Sequence, residues 1–236
     1  MLGHSHAVSG ALAWAATATV LPEFGGVALG PRDILVGTLL TAGAALVPDL
    51  DHPDSTIANF LGPPSELLAR VVSFLSGGHR HGTHSLLFIA LAWLGTWAGV
   101  EYLGRNFVLV TVFILLALAI RALHLCPPGN GVKVYGTIGT LSLVGTFAVA
   151  NWLPGVWDWL PWSMAIGCAA HILGDCLTDR GCPLLWPVKG RFGIPVVSRT
   201  GNAVETWVLV PLMTVATLAL LWFTTAAPAA IQAVGY

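Results

Sequence analysis

Long apolar runs, separated by glycine, proline and charged residues, are the feature of this sequence that most constrains its fold. They fall at 6–21, 33–48, 84–104, 107–125, 137–153, 162–178 and 204–225. A helix needs about 20 apolar residues to cross the hydrocarbon core of a bilayer. Only 9% of the residues are charged, against about 25% in an average soluble domain. The sequence therefore predicts an all-α, polytopic membrane bundle of six to seven helices, forming a single membrane-embedded domain over residues 1–236.

Not every run need cross the membrane. The first two are short and the fifth is rich in glycine, so any of these three could be inserted only part way. Between the second and third runs, segment 63–78 has apolar residues at helical spacing, opposite polar ones. This pattern predicts a short amphipathic helix on the membrane surface. A lid packed on the cytoplasmic ends of the helices is the alternative.

Basic residues are distributed unevenly between the two faces that alternating helices would create. The face on which the N-terminus lies holds eight of them: Arg70, Arg80, Arg121, Lys133, Arg180, Lys189, Arg191 and Arg199. The opposite face holds only Arg32 and Arg105. The positive-inside rule then places the N-terminus in the cytoplasm, in a multi-pass protein of the cell membrane whose partner is the lipid bilayer. A net charge of −1 argues against nucleic acid as a partner, and the sequence identifies no protein partner.

Polar residues that a bilayer should exclude gather at the helix ends on this same predicted cytoplasmic face. They are His6, Asp49, Asp51, His52, His84, His171, Asp175, Asn202 and Glu205. A divalent metal ion offsets the desolvation and repulsion of clustered imidazoles and carboxylates. His171 and Asp175 stand four residues apart and so project from one face of a helix. We expect His4, His81 and His124 to lie outside the site.

Several segments together resemble one family of membrane proteins. "SHAVSG", "PDLDHPDS", "GHRHGTHSLL", "HILGDCLTDRGCPLLWP", "RFGIPV" and "GNAVETW" match, in order and spacing, the membrane-bound metal-dependent hydrolases, also described as LexA-binding, inner-membrane-associated hydrolases. The resemblance implies a multi-helical fold with a metal site formed by His6, Asp49, Asp51, His52, His84, His171 and Asp175. The HxxxD motif with further His and Asp is also similar to the all-helical zinc phospholipase C and nuclease class.

Metal-assisted hydrolysis is the reaction that these residues favour, with a divalent metal, zinc first, as one or two ions. Asp175 is the candidate bridging ligand, and Asp49 and Glu205 are candidates for a catalytic base or a supporting carboxylate. Arg80 and Arg199 flank the site and could bind the phosphate of a phosphoester or lipid head group. Both arginines are equally expected as ordinary positive-inside charges.

Two other functions use the same residue types. A divalent metal-ion transporter also needs His and Asp within helices, although transport sites lie near the bilayer midplane rather than at one face. A non-catalytic scaffold, in which metal ties the helix ends together, is the third possibility.

Overall fold

The computed structural model describes residues 1–24, 26–55, 57–59, 63–129 and 131–228. Seven α-helices dominate these residues, and the only strands among them form one short hairpin, β1 (Glu23–Phe24) with β2 (Val27–Ala28). The helices are α1 (Gly3–Val20), α2 (Pro31–Ala44), α3 (Pro63–Ser76), α4 (Leu86–Ala122), α5 (Val132–Trp152), α6 (Val156–Cys176) and α7 (Val210–Leu221). The predicted all-α bundle is confirmed.

Helix α4 contains two of the predicted helices. Its backbone is non-helical at Gly104, where φ is 61° and ψ is −142°. A β-carbon added at Gly99 would lie 2.3 Å from the ring of Phe107, although residues eight apart in a straight helix are separated by about 12 Å. The chain therefore turns back at Gly104, and the sequence break between runs 84–104 and 107–125 is real.

Four helical segments among the described residues are long and apolar enough to cross a membrane. They are Pro31–Asp51, Leu86–Ala122, Val132–Trp152 and Glu205–Ala226. The second and fifth predicted runs are thus included, whereas the first, α1, is not. Turns of π-helix, Glu205–Leu209 and Trp222–Ala226, extend α7 at its two ends.

Helices α1, α2, α4 and α6 pack against one another and form the core. Trp14 of α1 and Trp159 of α6 are fully buried, with ring centroids 5.2 Å apart. Run 162–178 was expected to begin after Pro161, but α6 begins at Val156 and includes this proline. That boundary was wrong because burial of Trp159 and its bond to Asp33 (Nε1 to Oδ1, 3.0 Å) hold the first turn helical.

The predicted amphipathic helix is α3, which packs on the 3-10 turn Val47–Asp51 that follows α2. Its apolar side chains are largely turned outward: Leu67 is 65% exposed, Phe74 85% and Leu75 70%. An exposed apolar face of this kind is typical of contact with a membrane surface or a partner protein.

Candidate metal centre

Four segments that are distant in sequence bring ligand-type side chains together at one end of the bundle. His6 comes from α1, Asp49 from the 3-10 turn after α2, His84 from the turn before α4, and His171 and Asp175 from α6. Of these only Asp49 reaches solvent, with its side chain 21% exposed. Five of the seven predicted ligands therefore meet in space.

The centre of this cluster is a pair of imidazole nitrogens. The Nε2 atoms of His84 and His171 lie 3.1 Å apart. Asp175 Oδ2 lies 3.5 Å from the first and 3.8 Å from the second. On the other side, Asp49 Oδ1 lies 3.8 Å from His84 Nε2 and 3.6 Å from His171 Nε2.

These four atoms have the spacing of a tetrahedral coordination shell. Donors held about 2.0–2.2 Å from one ion at tetrahedral angles lie about 3.3–3.6 Å apart. The five separations above run from 3.1 to 3.8 Å. Two nitrogens and two carboxylate oxygens also form a donor set that zinc accepts. The residues present therefore fit a divalent metal ion.

His171 is oriented to offer one particular nitrogen. Its Nδ1 donates to the backbone oxygen of Ala45 at 2.7 Å, so that Nε2 is left with its lone pair toward the cluster. The bond requires α6 to approach the end of α2 closely. Gly167 permits this, since a β-carbon there would lie 2.6 Å from Ala44 Cβ.

His84 is supported by a carboxylate on the side away from His171. Asp51 Oδ2 lies 3.6 Å from His84 Nδ1, and the hydroxyl of Thr83 lies 3.0 Å from the same nitrogen and also donates to Asp51. Burial by itself lowers the pKa of His84, but its contacts with Asp175 and Asp51 outweigh this and raise the pKa to about 9. The surroundings thus favour a positive charge at this point.

Two of the predicted ligands do not join the cluster directly. Asp51 accepts hydrogen bonds from His79 Nδ1 (2.9 Å) and the backbone N–H of Arg80 (3.1 Å), so both its oxygens are already engaged. It faces Nδ1 of His84, not the Nε2 side where the other donors meet. His52 packs edge-on against His79, with centroids 4.5 Å apart, and its Nδ1 accepts from the Asp54 backbone N–H.

The outer oxygen of Asp175 is held by cationic groups. Arg80 Nη2 donates to Oδ1 at 2.8 Å, and the amino group of Met1 at 2.6 Å. His6 Nε2 lies 3.4 Å from the same oxygen, and its ring stacks on His171 with centroids 3.7 Å apart. Arg80 donates its other terminal nitrogen, Nη1, to Thr178. This side chain, predicted to bind substrate, holds Asp175 in the structure and also lines the neighbouring cavity.

Glu205, predicted as a catalytic base or a supporting carboxylate, connects the two ends of the chain's helical part. Its Oε1 accepts hydrogen bonds from the backbone N–H of Leu2 and the hydroxyl of Ser5, each at 2.6 Å, and its Oε2 accepts from the N–H of Gly201 at 2.7 Å. The carboxylate is fully buried. It fixes the start of α1 to the start of the last helical segment, and its oxygens are engaged in that task.

A cavity of about 590 Å³ opens beside the cluster. Asp49, Asp175 and Arg80 line it, together with the exposed side chains of Arg180 and Arg199. Hydroxyl groups of Ser55, Thr178, Ser198 and Thr200 line it as well. The cavity gives a small polar molecule access to the two carboxylates of the cluster.

Comparison with known proteins identifies the family. The family model described as YdjM inner membrane protein matches residues 1–235. The chain belongs to the YdjM inner membrane protein family. The inner membrane protein YdjM of Escherichia coli (strain K12) is 32% identical over 168 residues, 71% of this chain, and that of Shigella flexneri matches equally well. The match spans 58% of the length of each relative. No solved structure matches this chain.

Membership of the YdjM family confirms the resemblance that the sequence motifs indicated. It supports a location in the inner membrane, and the buried His and Asp cluster is compatible with a metal site. Of the histidines expected to lie outside that cluster, His4 Nδ1 contacts the Ala122 backbone oxygen, and its ring packs against His124. His81 is exposed and contacts the backbone oxygen of His79.

Two residues of the site were missed by the sequence analysis. His79 can join Asp49 and His84 in a group of donor atoms within 4.8 Å of one another, and it binds Asp51. Its position in "GHRHGTH", five residues before the predicted ligand His84, gave a signal, because a turn can bring both histidines to the same neighbourhood. Arg180 was counted only as a positive-inside charge, although it lies five residues after Asp175.

Proposed function

We propose that this chain is a metal-dependent hydrolase that cleaves a phosphoester at the cytoplasmic face of the inner membrane. The observation that carries the proposal is the set of four donor atoms, from His84, His171, Asp175 and Asp49, with tetrahedral spacing beside a polar cavity. Two imidazole nitrogens 3.1 Å apart, both facing carboxylates, support a bound cation.

One zinc ion is the cofactor that these donors suit best. Oδ1 of Asp175, the oxygen that faces away from His84 and His171, already accepts hydrogen bonds from the Arg80 guanidinium and the Met1 amino group, so its charge does not call for a second ion. His6, stacked on His171, buttresses that ring and Asp175. Asp51 and the Ala45 carbonyl orient His84 and His171, as groups behind metal ligands commonly do.

When bound, the divalent ion lowers the pKa of water and polarises the bond to be cut. The chain supplies the remaining parts. His84, His171 and Asp175 would hold the ion, and water would take the fourth position of the shell. Asp49, the partly exposed carboxylate on the cavity wall, would then accept a proton from that water instead of binding the ion. Asp175 is held rigidly by Arg80, whose other nitrogen is fixed on Thr178.

The substrate class follows from the cavity. Arg180 and Arg199 are exposed on its wall, and guanidinium groups match phosphate oxygens in a bidentate way. Helix α3 packs beside the 3-10 turn that carries Asp49, and it exposes its apolar face. If α3 lies on the lipid surface, the cavity is at the depth of lipid head groups. A lipid phosphoester or its water-soluble fragment is therefore the proposed substrate.

The cytoplasmic orientation is supported by charge alone. Arg80, Arg180 and Arg199 line the cavity at the end of the bundle that carries the donor atoms, whereas Arg32 and Arg105 belong to the opposite face in the alternating topology.

The test is hydrolysis by the purified, zinc-loaded protein in lipid nanodiscs, with the phosphorus-containing products followed by phosphorus NMR and the released aryl alcohol by absorbance. The panel contains phosphatidic acid, a glycerophosphodiester and an aryl phosphate, with an aryl acetate to detect unspecific ester hydrolysis. We expect metal-dependent cleavage of a phosphoester that Asp175→Asn abolishes and that His124→Ala, a histidine outside the cluster, retains.

Three results would overturn the proposal. The first is a zinc-loaded protein that is inert toward the whole panel. The second is zinc flux into proteoliposomes that His171→Ala abolishes, since this would favour a transporter. The third is an inert protein that unfolds on chelation, which would favour a scaffold.

A further inference from the structure

A second cavity lies between α2 and α5, with α4 as its floor. It measures about 580 Å³, within the range of about 300–1,000 Å³ that is typical of small-molecule sites. Its wall is apolar apart from one charged residue. The lining is Arg32, Leu35, Val36 and Leu39 of α2, Leu116 of α4, and Gly145, Ala148, Val149 and Trp152 of α5 with the following Leu153. We call this cavity the α2–α5 groove.

The groove ends in a more polar mouth. A smaller cavity of about 350 Å³ shares Arg32, Trp152 and Leu153 with it and extends to Gly30 and Asp33. A tryptophan beside an arginine at the end of an apolar groove is typical of the boundary between hydrocarbon and head groups. The groove therefore runs from an interfacial mouth into the apolar part of the bundle.

The positive charge at this mouth has no partner within the part of the chain that the structure describes. Arg32 makes no ion pair or hydrogen bond among the described residues. Its neighbour Asp33 accepts from the Gly30 N–H through Oδ2 and from Trp159 Nε1 through Oδ1. Both oxygens of Asp33, the carboxylate that lines the smaller cavity with Arg32, are thus engaged, so that the guanidinium can bind an anion from outside.

We propose that the α2–α5 groove binds one phospholipid, with an acyl chain along Leu39, Leu116 and Val149 and an anionic head group on Arg32. Both side walls belong to segments long and apolar enough to cross a membrane, Pro31–Asp51 and Val132–Trp152. Lipid is therefore the apolar molecule that the groove meets, and the single charge on its lining selects a negative head group.

This site is separate from the metal centre and does not rest on the proposed reaction. Arg32 is at the start of α2, and Ala45, which orients His171, follows its end. At 1.5 Å per residue these two residues are about 20 Å apart along the helix. The bound lipid is thus a structural or regulatory ligand.

Native mass spectrometry of the detergent-purified full chain tests the proposal. The probes are phosphatidylglycerol and phosphatidylcholine with identical acyl chains. We expect one phosphatidylglycerol per chain to be retained in preference to phosphatidylcholine. Arg32→Ala should reduce that preference about fivefold. Arg105→Ala removes a cation from the same predicted face but not from the groove, and it should leave the preference unchanged.

A second variant tests the groove itself. Gly145→Leu places a side chain in the space that the acyl chain would fill, displacing Leu116, whose Cδ1 lies 2.7 Å from the added β-carbon. Retention of both lipids should fall about tenfold. Gly139→Leu adds the same side chain to α5 where nothing lies within 4 Å, and it should retain lipid normally.

Two results would contradict the inference. One is that Arg32→Ala and Arg105→Ala show the same preference for phosphatidylglycerol over phosphatidylcholine. The other is equal retention in the Gly145 and Gly139 variants, provided that both elute as folded protein in size-exclusion chromatography. Either result would mean that the lipid is bound elsewhere or without selectivity.

Discussion

Two aspartates at opposite ends of the bundle show how this chain uses a carboxylate. Asp33, at the start of α2, accepts one backbone N–H and one indole N–H. Asp175, near the end of α6, is surrounded by Arg80, His6, His84 and His171. The hydrogen-bond donors to Asp33 are neutral, whereas Asp175 lies among groups that carry or can carry positive charge.

The difference separates a structural carboxylate from a candidate functional one. Each oxygen of Asp33 has a donor of fixed polarity, and its bonds tie α2 to α6. Asp175 Oδ2 faces two imidazole nitrogens that also face each other across 3.1 Å. Such nitrogens cannot both keep lone pairs there without repulsion, and a shared cation removes the repulsion. The comparison indicates that acceptor atoms facing one another, not burial alone, distinguish the candidate metal site.

The largest expected effect comes from removing Asp175. In the zinc-loaded protein, Asp175→Ala should reduce phosphoester hydrolysis at least about 100-fold, because it removes a proposed ligand together with the partner of Arg80. Asp33→Ala should retain activity within about threefold in the same hydrolysis assay. Equal losses of hydrolysis in Asp175→Ala and Asp33→Ala would contradict the assignment of Asp175 as functional and Asp33 as structural.

Asp51 is expected to have the next largest effect. Asp51→Asn keeps the shape but weakens the support of His79 and His84, so that zinc affinity should fall about 10–100-fold. Titration calorimetry on the metal-free protein measures this. Asp54→Asn changes an exposed carboxylate that lines the same cavity, and it should bind zinc like the parent. If both variants bind zinc normally, Asp51 has no positioning role.

Gly167 connects packing to the orientation of His171. In Gly167→Ala the new methyl group meets Ala44 and the Ala45 backbone nitrogen within 2.8 Å, which should push α6 from α2 and lengthen the bond to the Ala45 carbonyl. We expect zinc affinity to fall by about tenfold or less. Gly95→Ala, in open space, is the control. Unchanged affinity in Gly167→Ala would show that this carbonyl does not orient the imidazole.

The smallest effect concerns stability at the far end. Asp33→Ala leaves the N–H of Trp159 without its acceptor and should cost about 1–3 kcal/mol of unfolding free energy. For a chain of this size each kcal/mol lowers Tm by about 2–4 °C. Thermal melting followed by tryptophan fluorescence measures the shift. A variant that melts like the parent would show that Asp33 does not tie α2 to α6.

Much of the fold could be predicted because an apolar segment in a lipid bilayer has to satisfy its backbone hydrogen bonds internally. Apolar runs must form helices, and His and Asp residues gathered at one set of helix ends are expected to meet, as five of the predicted ligands do. The start of α6 could not be predicted, because Pro161 is a normal helix boundary unless tertiary contacts such as that of Trp159 override it.

The sequence pattern could not predict which residues of the cluster would face the imidazole nitrogens and which would support them. Asp49 and Asp51 are two residues apart and equivalent in the motif, yet only Asp49 turns toward Nε2 of His84 and His171. The direction depends on the 3-10 turn Val47–Asp51 and on donors from the 79–83 segment. The role of Glu205 likewise depends on Leu2 and Ser5, about 200 residues away.

Elemental analysis of the purified protein tests the central claim most directly. We expect about one zinc ion per chain in the parent and in His124→Ala, and a loss of most of this metal in His84→Ala and His171→Ala. Thermal melting curves, recorded on separate samples, check that all four proteins are folded. Equal metal content in the parent and the two cluster variants would contradict a metal centre at His84 and His171.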